Sequence, residues 1–168
     1  GDYLRSGWYI NMSVAIDYTA SNGDPEDLNP PLFKIDGTGD PNPYEIAIRK
    51  VGGILENYAY KKRFAAYGFG GVPQNEFKYN TAQHKNNPDN PAIKGLEGLI
   101  ANYKESLHSV RQWGPTKFAP IILKMNEVIE AQMKLKNKDG EPEIKMYHIL
   151  FILTDGVIHD MSKLLMPL

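Results

Sequence analysis

The sequence predicts an α/β fold in which a mainly parallel central sheet is flanked by helices. Three apolar segments have the length and composition of buried strands, at about 10–18, 63–71 and 146–153. Three amphipathic segments lie between them, at about 43–58, 93–110 and 117–136. Strands that alternate with helices in this order are typical of a parallel sheet covered by helices.

The helical segments each carry apolar side chains at intervals of three and four residues. Pro43 opens the first segment, and proline is favoured in the first turn of a helix. The stripes consist of Ile46, Ile48, Val51, Ile54 and Leu55 in the first segment, of Leu96, Leu99, Ile100, Tyr103 and Leu107 in the second, and of Ile121, Ile122, Met125, Val128, Ile129 and Met133 in the third.

The connections also shape the predicted domain. Two long polar segments, at 22–43 and 73–92, are rich in proline, glycine and asparagine, which predicts irregular loops. After the last strand only 157–168 follow, too few for another helix and parallel strand. We therefore expect a single domain over 1–168 whose three-stranded sheet is incomplete.

Composition excludes several classes of function. The 168 residues include 19 basic and 20 acidic side chains, a balance that gives no support for a nucleic-acid partner. The chain contains no cysteine, so disulfides, thiolate metal sites and thiol catalysis are excluded. No apolar run approaches the roughly 20 residues of a membrane-spanning helix.

Two of the predicted strands end in an aspartate. Asp17 follows the apolar run of the first strand, and Asp155 follows that of the third. Because parallel strands bring their carboxyl ends to one edge of a sheet, we expect both carboxylates there. At ~4 Å and an effective dielectric of ~20 they would repel by roughly 4 kcal/mol, which a divalent cation would relieve. The pattern predicts a metal site at this edge.

The residues after Asp17 fit the pattern D-x-[ST]-x-S, with Thr19 and Ser21 at the hydroxyl positions. Alternate residues leaving a strand can point to the same side, so the three side chains can converge. Carboxylate and hydroxyl oxygens suit Mg²⁺ or Mn²⁺ rather than zinc. The ordinary alternative is that Asp17 caps a turn and the hydroxyls bond the local backbone.

Two further residues have both a structural and a functional interpretation. Thr116 follows Gly114-Pro115 where a loop enters the third helix, so it is either a helix N-cap or a ligand. Asp155 precedes Gly156, and Asp-Gly is also ordinary turn chemistry.

Other motifs give weaker signals. The glycines at 68, 70 and 71 either admit a ligand close to the backbone or form a tight turn, and they match no phosphate-binding or dinucleotide-binding fingerprint. The four histidines show no metal-type or catalytic spacing, and no nucleophile–base pair can be assembled.

Together, Asp17, Thr19, Ser21, Thr116 and Asp155 resemble the metal-ion-dependent adhesion site of the von Willebrand factor type A domain. That family has D-x-S-x-S after its first strand, a threonine in a second loop and an aspartate in a third. Thr19 replaces the commoner serine and keeps the hydroxyl. The resemblance implies a von Willebrand factor type A fold, which is Rossmann-like.

Longer segments resemble the A domain of copines. They are DYLRSG at 2–7, VAIDYTASNGDP at 14–25, KRFAAYGFG at 62–70, GPTKFAPII at 114–122 and ILTDGVI at 152–158. The resemblance extends from the N-terminus to about Met161. The family then continues with further helices and two more strands, so the chain is similar to a copine domain without its C-terminal part, and we expect an exposed apolar sheet edge.

The resemblance implies a cytosolic protein that binds phospholipid in response to calcium. Ca²⁺ and membrane recruitment are expected only of lipid-binding modules absent from this chain. For the A domain it implies a site for Mg²⁺ or Mn²⁺ in which Thr19, Ser21 and Thr116 bind the ion directly, and Asp17 and Asp155 do so directly or through water. An acidic side chain of an intracellular protein partner would complete the coordination.

Three functions follow from these residues. The first is a non-enzymatic module that captures an acidic group of a partner protein at an open Mg²⁺ or Mn²⁺ position. The second is a metal-dependent phosphoryl-transfer enzyme, because a hard cation among carboxylates can perform that chemistry. The third is a structural domain with an empty site. The absence of a phosphate-cradling loop and of an evident general base favours the first.

Overall fold

The computed structural model describes residues 7–23, 40–73, 92–156 and 158–160. The strands of these ranges are β1 (Tyr9–Asp17), β2 (Arg63–Phe69), β3 (Gly71–Pro73), β4 (Ala92–Lys94), β5 (Val110–Gln112) and β6 (Met146–Leu153). The α-helices are α1 (Pro43–Leu55), α2 (Gly95–Ser109) and α3 (Ala119–Met133). Most of the two predicted polar loops and the C-terminal segment 161–168 lie outside the described residues.

A four-stranded sheet with the order β4-β2-β1-β6 forms the centre of the domain. β1 pairs in parallel with β2 on one side and with β6 on the other. Asp17 lies opposite Phe69, and Ile16 lies opposite Leu153, so the three strands end at the same edge. The predicted parallel order of the three long strands is therefore confirmed.

The prediction of only three strands was wrong. β4 adds an antiparallel strand to the edge of β2, and β3 pairs with β5 in a separate two-stranded ribbon. Each of these strands is three residues long. Sequence patterns need four or more residues to show the alternation of a strand, so strands of this length leave no readable signal.

The helices agree with their predicted positions but are shorter. The first was predicted to reach residue 58, whereas α1 ends at Leu55 and a 3-10 turn, Glu56–Tyr58, follows it. α2 and α3 each begin and end one to three residues inside the predicted bounds. Helix ends fray and tighten, so offsets of this size are expected. No helix in the described ranges is long and apolar enough to cross a membrane.

The sheet separates two apolar layers because successive residues of β1 point to opposite faces. Met12, Val14 and Ile16 are buried on the face covered by α1 and α2, together with Phe64, Ile48, Leu99 and Tyr103. Ala15 is buried on the other face with Tyr67, Phe69, Phe118, Ile121 and Met125, where α3 packs. β1 is thus covered on both faces and flanked on both edges, which fixes the position of its last residue.

Polar contacts fix α1 against α2. The Asn42 side chain caps α1 by accepting from the Glu45 N–H at 2.9 Å, and it also accepts from the Tyr103 hydroxyl at 3.1 Å. The buried Glu45 carboxylate pairs with Arg49 at 3.0 Å and with Lys104 at 3.1 Å. Helix α1 is therefore held in one position relative to α2.

Substitution of Leu99 by Ala should destabilise the domain by about 2–5 kcal/mol, because the side chain is fully buried and its removal leaves a cavity. Leu123 on α3 is 55 % exposed and serves as the matched control, with an expected change within about 0.5 kcal/mol. Chemical denaturation of both variants measures the difference. Equal losses at the two positions would contradict the described packing of α2.

Candidate metal centre

All five residues predicted for the site meet at the carboxyl edge of the sheet. Thr19 is central: its Oγ1 donates to Asp17 Oδ1 at 2.6 Å and lies 3.0 Å from Ser21 Oγ and 3.3 Å from Thr116 Oγ1. Ser21 Oγ donates to Asp155 Oδ1 at 3.0 Å. Three separate loops, after β1, β5 and β6, supply one continuous cluster of oxygen atoms.

The hydroxyl groups of Thr19 and Ser21 lie next to the two carboxylates and next to each other. Each hydroxyl has one proton, and Thr19 donates its proton to Asp17 while Ser21 donates its proton to Asp155. Thr19 Oγ1 and Ser21 Oγ also lie within hydrogen-bond distance of each other, at 3.0 Å, and either hydroxyl can donate. A hydroxyl oxygen that donates its proton keeps lone pairs, so both oxygens have the capacity to bind a cation.

The spacing of the oxygens suits a small hard cation. Mg²⁺ binds oxygen at about 2.0–2.1 Å in octahedral geometry, which places neighbouring ligand oxygens about 2.9 Å apart. The contacts among the hydroxyl and carboxylate oxygens run from 2.6 to 3.3 Å. The donor set consists of hydroxyl and carboxylate oxygens, the ligand types that suit Mg²⁺ or Mn²⁺. It holds two carboxylates, and no group of three or more His, Cys, Asp and Glu side chains placed to hold an ion occurs within the described ranges.

Asp17 is the most deeply placed member of the cluster, with no exposed surface. Its Oδ1 also accepts from the Thr19 N–H at 2.9 Å, and its Oδ2 accepts from the Thr154 hydroxyl at 2.6 Å. Ser21, in contrast, is exposed, and Asp155 is half-buried. The cluster therefore has a closed inner side at Asp17 and an open side at Ser21.

A second layer of polar residues, which the sequence analysis missed, orients the loop after β1. Asn22 is fully buried, and its amide donates to the backbone oxygens of Asp17 at 3.0 Å and Thr19 at 3.2 Å. Its Oδ1 accepts from the Tyr44 hydroxyl at 2.6 Å. Helix α1 thus holds the loop after β1 through one tyrosine and one asparagine.

Burial raises the pKa of Tyr44, and the negative charges of Asp17 and Asp155 raise it further. Burial also raises the pKa of Tyr18, an effect that its hydrogen bond with Ser106 partly offsets. A raised phenol pKa keeps the proton in place at neutral pH. Tyr44 is therefore a neutral donor to Asn22.

The glycines after β2 lie against the loop after β1. A Cβ on Gly70 would lie 2.3 Å from Thr19 Cγ2, and the φ of Gly70 is +71°. A Cβ on Gly71 would lie 2.7 Å from the Tyr18 Cβ. The positive φ of Gly70 agrees with the predicted tight turn, and Gly70 and Gly71 also let the end of β2 contact the loop that carries Thr19. Close approach of a ligand to these glycines stays a prediction.

Thr116 is held by the segment that follows Asp155. The backbone N–H of Thr116 donates to His159 Nδ1 at 3.2 Å, and the backbone N–H of His159 donates to the backbone carbonyl oxygen of Thr116 at 2.8 Å. The Asp160 carboxylate accepts from the N–H groups of Phe118 at 2.9 Å and Ala119 at 2.8 Å, where α3 begins. The Asp160 side chain therefore caps the N-terminus of α3, although it lies in a later loop of the chain. Thr116 is not the N-cap of α3.

The fold and the site define the class of the domain. A mostly parallel sheet flanked by helices, with polar loops at its carboxyl edge, is the α/β architecture of a von Willebrand factor type A-like domain.

A family model described as Copine matches residues 31–166, which is most of the chain, and the chain belongs to the copine family. Copines are calcium-dependent phospholipid-binding proteins, and membership implies calcium-dependent membrane association of the parent protein. The matched range contains Thr116 and Asp155 and begins after the loop with Asp17, Thr19 and Ser21.

Substitution of Tyr44 by Phe should weaken Mn²⁺ binding about 10-fold, because residues that orient metal ligands typically contribute 10–100-fold to affinity. Tyr103→Phe is the matched control, since Tyr103 is buried in the same core, 6.4 Å from the Tyr44 ring, and donates to Asn42 instead. Mn²⁺ titrations followed by electron paramagnetic resonance compare the two. If both variants bind Mn²⁺ as the wild type does, Tyr44 does not orient the loop.

Gly70→Ala should destabilise the domain and weaken Mn²⁺ binding, because the new methyl would displace Thr19. Gly140→Ala separates this effect from backbone strain: Gly140 also has a positive φ, +78°, but a Cβ there meets no atom within 4 Å. Left-handed backbone alone costs roughly 1–2 kcal/mol in both variants. A larger loss of stability at Gly70, with reduced Mn²⁺ affinity there alone, is the expected result of thermal melts and titrations.

Proposed function

We propose that the domain is a cation-dependent protein-binding module rather than an enzyme. In this proposal Mg²⁺ or Mn²⁺ binds among Asp17, Thr19, Ser21, Thr116 and Asp155, and an acidic side chain of a protein partner binds the ion. The observation that supports it best is the convergence of the five side chains, whose oxygen atoms lie 2.6–3.3 Å from their neighbours in one cluster at the carboxyl edge of the sheet.

The hydroxyl oxygens of Thr19, Ser21 and Thr116 would bind the ion directly, and the carboxylates would do so directly or through water. The bound ion would supply a concentrated positive charge for a partner carboxylate. Mg²⁺ takes about six oxygen ligands, and five side chains leave one position for an exchangeable group. Ser21 is exposed, so this position would face solvent.

The surroundings of the cluster support binding over catalysis. The neighbouring groups that the structure describes are engaged in positioning: Thr154 donates to Asp17, Asn22 donates to the loop backbone, and His159 Nδ1 accepts from the Thr116 N–H. A general base must have a free acceptor within reach of a substrate proton. His159 uses its Nδ1 to hold the loop, which favours a structural role for this ring.

We further propose a place for the module in the parent protein. Calcium would act on lipid-binding modules outside this chain and bring a cytoplasmic protein to the membrane. The present domain would then present its Mg²⁺ or Mn²⁺ site to an intracellular partner. The two cation requirements would be separate, because Ca²⁺ prefers more ligands and longer distances than this cluster provides.

Asp17→Asn should reduce Mn²⁺ affinity at least 10-fold and abolish metal-dependent binding of a glutamate-containing peptide, because the innermost anionic donor is lost. Ser21→Ala, at an exposed position, should reduce both with less risk to folding. Asp139→Asn, in an exposed turn, is the control that should change neither. Calorimetry with Mn²⁺ and fluorescence anisotropy with the peptide measure the two properties.

The same proteins distinguish the enzymatic alternative. Incubation of wild-type protein with Mg²⁺ and ATP should give no phosphate release above the buffer control. Turnover that requires Mg²⁺ and disappears in Asp17→Asn would refute the proposal and support phosphoryl transfer. Unchanged Mn²⁺ affinity in Asp17→Asn and Ser21→Ala would refute the metal site itself.

A further inference from the structure

The chain segment that leads into Thr116 forms one side of the site. We define residues 111–117 as the rim segment. The Trp113 N–H donates to the backbone oxygens of Gly70 at 2.9 Å and Tyr18 at 3.3 Å. Tyr18 lies between Asp17 and Thr19 in the chain, so Trp113 is fixed directly against the loop that supplies the metal ligands.

The side chains of the rim segment divide into buried and exposed sets. Thr116 is buried, with its hydroxyl in the oxygen cluster, whereas Arg111, Trp113 and Lys117 are exposed. Trp113 is 48 % exposed although tryptophan has the largest apolar side chain of the residue types. Its backbone N–H is anchored to the loop after β1, so the residue that carries this exposed ring lies beside the site.

Two cations accompany this ring. The Arg111 guanidinium lies 5.0 Å from the centre of the Trp113 ring, a cation–π contact. A guanidinium carries five N–H donors in its plane, which can bind a carboxylate. Within the described residues neither Arg111 nor Lys117 forms an ion pair. Positive charges beside a cation site raise the local potential, which attracts groups with more than one negative charge.

We infer that the rim segment is a second contact surface for the partner and selects a segment with at least two acidic residues. One carboxylate would bind the ion, the other would bind Arg111 or Lys117, and the chain between them would pack on Trp113. Tryptophan and arginine are the residue types that most often dominate the binding energy of interfaces. This inference rests on the proposed function, because the first contact is the metal ion.

A basic pair elsewhere in the domain provides a matched control. Arg63 and Lys94 are both exposed and lie opposite each other in the pairing of β2 with β4. Arg63 is the first residue of β2, so the pair lies at the end of the sheet away from the site. Reversing two charges there alters net charge by the same amount as reversing two charges on the rim segment.

The test uses two fluorescein-labelled peptides in a Gly/Ser background, one with a single aspartate and one with three aspartates at alternate positions. With saturating Mn²⁺, wild-type protein should bind the three-aspartate peptide at least 10-fold more tightly. The double variant Arg111→Glu/Lys117→Glu should lose that advantage, whereas Arg63→Glu/Lys94→Glu should keep it within about 2-fold. Trp113→Ala should weaken binding, and Tyr147→Ala, at an aromatic ring that is 62 % exposed on β6, should not.

The outcomes separate this inference from the proposed function. Equal affinity of wild-type protein for the two peptides, or equal losses in both charge-reversed variants, would overturn the rim segment as a selective surface. Mn²⁺ binding measured without peptide must remain wild-type in the rim variants; its loss would show that they damage the site and would also overturn the inference. If removal of Mn²⁺ left the preference for three aspartates unchanged and rim-dependent, the proposed function would fail while the rim contact stood.

Discussion

The parallel pairing of β1 with strands on both sides is the constraint on which the site depends. Because β1 is buried on both faces and paired along both edges, Asp17 cannot move without disturbing the centre of the sheet. The same register brings the end of β6 level with the end of β1, and Asp155 follows two residues later. The convergence of the two aspartates is therefore a consequence of strand register.

The long elements and most of the candidate site residues leave a signal within one segment, so the sequence alone singles them out. Thr116 does not, because by itself it looks like a helix N-cap, and it joins the candidate site only through the family resemblance. β6 has the bounds predicted from its apolar run, and Asp17 and Asp155 are recognisable as carboxylates that end such runs. That the two meet required only the rule that parallel strands share an edge. The metal itself stays a prediction, since the geometry describes a fitting donor set and not a bound ion.

The supporting residues could not be predicted because their roles exist only between segments. Asn22 looks like an ordinary turn residue, and Tyr44 looks like one of ten tyrosines, until the fold brings the hydroxyl within 2.6 Å of the amide. Asp160 caps a helix that begins 41 residues earlier in the chain. Local patterns describe a residue's neighbours in sequence, whereas these contacts depend on the packing of α1, α3 and the loops.

These contacts also bear on how the site would take up an ion. The buried Asp17 carboxylate already accepts from the Thr19 N–H, the Thr19 hydroxyl and the Thr154 hydroxyl, so its desolvation is offset without a metal. Small metal-dependent domains differ, because there the ion supplies the free energy of folding. Here the hydroxyl groups of Thr19 and Ser21 would keep donating to the carboxylates while the lone pairs of their oxygens bind the ion. The free energy of ion binding would then hold the ion and its ligand and would not be needed to order the loops, because the loops are already in place.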